Sequence, residues 1–300
     1  MKKPLKSVEL FLAVGLATTI GASSGVAVHT EETNEGALPS TELNSTLDIS
    51  GEFDRAKEGD KSGRSHGGHH AQGGEGGEGG EGGEGGSSGD PDVDYMTALA
   101  LMKGHLIVAN ELLELGKYEE ANMHIEHPVS ELYADVEGQL AARNIPAFDT
   151  PLTQLYEMVK FSPKDPRVSS QFNASMAGID RAIASLRQDL RTDPTFVMEV
   201  IDGMLQTAAA EYEAAILDDT FVEIVEYQDS RGFVIYAKEL YETIANTVER
   251  SNPRDHKVIM SNFQELVKVW PSVTPPETPV TSPAKVYSLV YGIKHHGLEF

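Results

Sequence analysis

The chain has 300 residues, with 47 acidic and 24 basic side chains and a formal net charge of -23. That balance argues against nucleic acid and against an anionic membrane surface as partners, and favours solubility and the attraction of cations. Cysteine is absent, which excludes disulfides, thiolate metal sites and thiol catalysis, so any metal site is limited to imidazole, carboxylate, amide or phenol ligands.

The first residues have the form of an export signal. Lys2, Lys3 and Lys6 precede an apolar run from Leu10 to Ile20, and small residues follow from Gly21 to Ala27. The expectation is a signal peptide over 1–27 and an exported protein, periplasmic or secreted and soluble after cleavage; no later stretch reads as a membrane span. From 28 to 90 the chain is polar and then rich in glycine and glutamate, with the tract SHGGHH followed by GGE repeats. Such a composition buries too little to order itself and reads as a disordered acidic linker, with His66, His69 and His70 as solvated residues within it.

Helical periodicity begins near Asp90. Pro91 and the acids at 92 and 94 form a helix start, and Leu99, Met102, Leu106 and Leu113 form an apolar stripe that contains His105. Gly116 reads as a left-handed cap. A second helix begins at Tyr118, with Ala121, Ile125, Val129, Leu132, Val136 and Leu140 on one face and Pro128 either kinking or restarting it. A third helix opens at Pro151, and a fourth runs from about Arg167 to Leu190. The fifth starts at Pro194 and carries apolar spacing as far as Ile216. The run TFVEIV fits a short strand, but is read as helix or loop because no partner strand is visible. A sixth helix covers about 226–249 and a seventh about 254–269. The predicted fold class is all-α: an up-and-down bundle of six or seven helices over 91–270, followed at 271–300 by a proline-rich segment and a tail that docks as a last short helix.

The chemistry concentrates in the first helical hairpin. His124 and His127 are i, i+3, and His127 and Glu131 are i, i+4. His105 lies eleven residues before Gly116 and His127 eleven after, so an antiparallel hairpin sets them at similar height. His105, His124, His127 and Glu131 are therefore the candidate ligands of a transition metal ion: iron, copper or zinc. Asp135, Glu226, Asp229 and Arg231 form an additional polar set, the last three at the start of helix six, where a helix dipole alone also accounts for acids. No GxSxG, HExxH or phosphate-cradling loop is present, so no catalytic residue is assigned and an enzyme is not expected.

Residues 98–132, helix then LGKYEEA then helix, resemble a single tetratricopeptide unit, but the pattern does not recur 34 residues on. The export signal, all-α domain and His/Glu set together resemble the imelysin-like and EfeO-like exported proteins linked to iron uptake. GHLIVANE (104–111) and HPVSE (127–131) depart from that family's GxHxxE spacing, and no ligand is transferred from it. The reading is an exported helical protein that binds a transition metal for uptake, storage or sensing, with the metal ion and a membrane or periplasmic protein as partners and nucleic acid excluded. The alternative is a helical protein–protein interaction module whose histidines are structural.

Overall fold

The computed structural model describes residues 86–298; the expected signal peptide and nearly all of the glycine- and glutamate-rich arm lie outside the described residues. Helix α1 spans Pro91–Glu114. The Asp90 side chain caps it by accepting from the backbone N–H groups of Asp92 and Val93, and Pro91 sits where its missing N–H costs nothing. It ends in a Schellman motif: Gly116, at φ 74°, donates to the Leu113 carbonyl and Lys117 donates to that of Leu112. By length and composition α1 meets the requirements of a membrane span, contrary to the sequence reading, yet most of it is buried within the fold. Leu99, Leu101, Met102, Leu106 and Leu112 are fully buried, as expected of a helix apolar on several sides and surrounded by others.

Helix α2 spans Tyr118–His127 and runs without a break through a π-helical turn, Pro128–Leu132, into α3, Tyr133–Ala142. Pro128 thus neither restarts the helix nor breaks it. It has no N–H to return to the His124 carbonyl, and a wider turn accommodates that loss. Helices α4 (Asp149–Phe161) and α5 (Val168–Ala184) follow. The predicted fourth helix stops at Ala184, and a single turn, α6 (Gln188–Arg191), is separated from it. The second half contains α7 (Pro194–Ala214), α8 (Ile224–Ser251), α9 (Pro253–Leu266) and α10 (Pro283–Gly297).

Between α7 and α8 the structure has the short strand that the sequence reading ranked below helix or loop. Strands β1 (Ile216–Leu217) and β2 (Thr220–Phe221) pair antiparallel. Asp218 and Asp219, at φ 50° and 58°, form the two-residue turn between them, the left-handed pair that such hairpins require.

The all-α bundle architecture is organised as two closed rings of four. In the first, α1 packs on α2, α2 on α4, α4 on α5, and α5 returns to α1. In the second, α7 packs on α8, α8 on α9, α9 on α10, and α10 returns to α7. The tail therefore docks as a helix, through Val286, Leu289, Val290 and Ile293. The rings meet along α1, which packs against both α8 and α7. Close approach of α1 and α8 depends on Gly104 and Gly232: a Cβ on Gly232 would collide with the Gly104 carbonyl oxygen.

Candidate metal centre

The seam between the two rings holds a cluster of polar groups inside an otherwise apolar core. His105 comes from α1, His124 and His127 from α2, and Gln228 and Asp229 from α8. His105, His124, Gln228 and Asp229 are fully buried, whereas the His127 side chain keeps 23% of its surface exposed. His105 and His127, symmetric about Gly116 in sequence, do come together, with ring centroids 5.0 Å apart and the rings edge to face. Helical spacing keeps His124 one turn before His127.

Asp229 is the hub. Its Oδ1 accepts from His105 Nδ1 at 2.6 Å and from His124 Nδ1 at 2.7 Å. Its Oδ2 is buried and makes no hydrogen bond; the His127 Nδ1 atom stands 3.5 Å away. Burial opposes ionisation of this carboxyl, but the imidazoles of His105 and His124 outweigh it and hold Asp229 well below the usual carboxylate range.

The second nitrogen of His124 is also engaged, since Nε2 lies 2.7 Å from Gln228 Oε1. The amide of Gln228 is fixed because its Nε2 donates to Glu120 Oε2 at 2.9 Å and to the Val273 carbonyl at 3.2 Å. Both His124 nitrogens are thus engaged by protein oxygens, Asp229 Oδ1 and Gln228 Oε1, and neither is offered to an ion.

His105, His127 and Asp229 form a group whose ligand atoms all lie within 4.8 Å of one another. Two imidazoles and one carboxylate are donors suited to a first-row transition metal, and the same set with open positions is the one non-haem iron(II) favours. An oriented carboxylate oxygen with no hydrogen bond, in a buried site, fits a cation there. The site is therefore a plausible donor set on its chemistry as well as its spacing.

The other candidates fall elsewhere. Glu131 is exposed. After His127 a buried row, Pro128, Leu132, Val136 and Leu140, recurs every four residues with Tyr133 beside it, and Glu131 and Asp135 sit one position before that row, so both point to solvent. Glu226 is half-buried at the first turn of α8 and takes no part in the cluster. Arg231 points away from it. Its guanidinium holds Glu111 through two bonds of 3.0 and 3.1 Å and the Trp270 carbonyl at 2.8 Å. Gln228 is the participant the sequence reading did not single out. Its signal was its position beside Asp229 on the buried face of α8.

Residues 187–297 match the iron permease-associated 4-helix bundle domain. The match spans the second ring and includes Gln228 and Asp229, and it supports a helical, metal-related architecture; it does not extend to the imelysin-like or EfeO-like proteins. No curated protein and no solved structure matches the chain.

Proposed function

We propose that this protein is an exported iron-binding protein that serves an iron-permease type of uptake system, holding the ion at His105, His127 and Asp229. The observation that carries the reading is Asp229 Oδ2: a buried, ionised carboxylate oxygen with no hydrogen bond, facing His127 within a two-histidine, one-carboxylate group. The match of the second ring to an iron permease-associated domain favours iron among the metals this donor set accepts. His127 alone of the four ionisable residues reaches the surface, so the ion enters and leaves on its side. His124 is a positioning residue: with both nitrogens committed, it orients Asp229. The acidic surface gathers cations, and a membrane permease is the partner to which iron would be passed.

A rival reading has one observation behind it. Asp229, His105 and His124 already satisfy one another by hydrogen bonds, as a structural polar clamp between two packed rings would, leaving the surface for a protein partner. Elemental analysis of the full chain, purified untagged and reconstituted anaerobically with iron(II), separates the two. Near-stoichiometric iron, lost in His127→Ala and Asp229→Asn with helical content unchanged, is the expected result. A wild-type chain that retains no iron, zinc or copper after reconstitution removes the metal reading and leaves the clamp.

A further inference from the structure

The helices that cross at the centre are related in sequence. Met102–Glu114, MKGHLIVANELLE, aligns with Ser230–Glu242, SRGFVIYAKELYE, pairing Gly104 with Gly232, Ile107 with Ile235, Ala109 with Ala237, Glu111 with Glu239, Leu112 with Leu240 and Glu114 with Glu242. The structure repeats this relation in space. A Cβ placed on Gly104 would stand 3.1 Å from the Gly232 carbonyl carbon, and one placed on Gly232 would stand 2.8 Å from the Gly104 carbonyl carbon, so each glycine lies against the other's backbone. Such reciprocal contact, i on j and j on i, marks a two-fold arrangement. Arg231 binds Glu111 across the crossing; its counterpart, Lys103, acts electrostatically on Glu239. Each of the two helices also closes its own ring of four. The α1–α8 crossing is thus locally two-fold, in sequence and in contact.

The centre lies where that symmetry is broken. His105 and Phe233 are counterparts and touch each other, their ring centroids 4.9 Å apart and their planes at 88°. Asp229 and Phe233 are i, i+4 on α8 and so lie on one face, one turn apart. Phe233 is fully buried. A side chain at 233 therefore faces the space that His105 reaches from the opposite side.

We propose that Phe233 sets the number of ligands the two rings supply at this centre: it fills the place from which a fourth imidazole would reach the ion, and so keeps the donors among the described residues to three. This rests on the metal-binding reading above. Four protein donors make a closed, tetrahedral site of the kind that holds zinc structurally, whereas three leave positions open and the ion exchangeable. The phenyl wall thereby leaves a position on the ion for water or for an acceptor's ligand.

The test compares wild type, Phe233→His, Phe233→Cys and Phe233→Leu in the full chain. Cobalt(II) is titrated and its visible and near-ultraviolet absorption recorded, and zinc affinity is measured by competition with a chromophoric chelator. The expected result is that Phe233→His intensifies the visible cobalt bands, as four-coordination does, and tightens zinc binding by about tenfold or more. Phe233→Cys, the smaller donor that remains informative where the histidine is not accommodated, should add a thiolate-to-cobalt band in the near ultraviolet. Phe233→Leu should keep the wild-type spectrum. A wild type that binds cobalt and zinc, beside folded His and Cys variants with unchanged spectra and affinities, overturns the role of Phe233 alone. A wild type that binds neither ion overturns the centre itself, and this proposal with it.

Discussion

At the scale of single residues, the two glycines of the helix crossing set how near the donors of α1 and α8 can come. A methyl group on Gly232 would press on the Gly104 carbonyl and on Val108 Cγ2, and neither the backbone nor the buried valine has room to yield. Gly232→Ala is therefore expected to destabilise the protein by about 2 kcal/mol or more, as overpacking of a close backbone contact does. Gly138 supplies the contrast. It lies in α3 on an exposed face with nothing within 4 Å of where a Cβ would stand, so Gly138→Ala should stabilise by roughly 0.5–1 kcal/mol through helix propensity alone. Urea unfolding of both variants checks the pair, and equal effects would mean that the crossing is not tightly packed. The histidines of the site were legible because spacing about Gly116 is a local property of one hairpin. The carboxylate was legible only as one of an additional polar set: Asp229 is more than a hundred residues from its histidine partners in sequence, and within its own helix a dipole-favoured group of acids accounts for it equally well. Glu131, the carboxylate chosen by α-helical spacing, is turned outward because the inward face after the π turn falls on its neighbour Leu132.

Among elements, the long helices were readable from caps and period, because each carries both on its own residues. Asp90 and Pro91 begin α1, Asp193 and Pro194 begin α7, and Asn252 and Pro253 begin α9. The hairpin was hidden for the opposite reason. Ile216 continues the apolar spacing of α7, so the partner strand of Thr220–Phe221 had already been assigned to a helix. Its turn also uses two aspartates where asparagine and glycine are the stronger signal. Asp218 and Asp219 both sit at positive φ and place like charges side by side in an already acidic chain. Replacing them together, Asp218→Asn with Asp219→Gly, should stabilise the protein by about 0.5 kcal/mol, the relief of left-handed strain being partly offset by the entropy glycine loses on folding. Thermal unfolding at low and high salt resolves the two contributions: a gain that vanishes in high salt would be electrostatic, and one that persists is the backbone's.

For the molecule as a whole, the proposed donors of one ion come from both rings, His105 and His127 from the first and Asp229 from the second. An ion bound there joins the rings and is bound only while they are docked, so its binding free energy adds to the stability of the seam. At a free iron(II) concentration a hundredfold above Kd the gain is about 2.7 kcal/mol, and for a folded region of this size that corresponds to a rise in Tm of roughly 5–10 °C. The effect must depend on the seam and not on the acidic surface, which would attract any divalent cation weakly. Calorimetry of the full chain with iron(II), with magnesium at the same concentration and with excess chelator therefore has a defined pattern. Iron raises Tm, chelator returns it to the metal-free value, and magnesium, which prefers oxygen donors, leaves it unmoved. In Asp229→Asn the metal-free Tm falls, since His105 and His124 lose the charge that holds them, and the iron-dependent rise disappears. An equal rise in wild type and Asp229→Asn would place the ion elsewhere on the chain and return the seam histidines to a purely structural role.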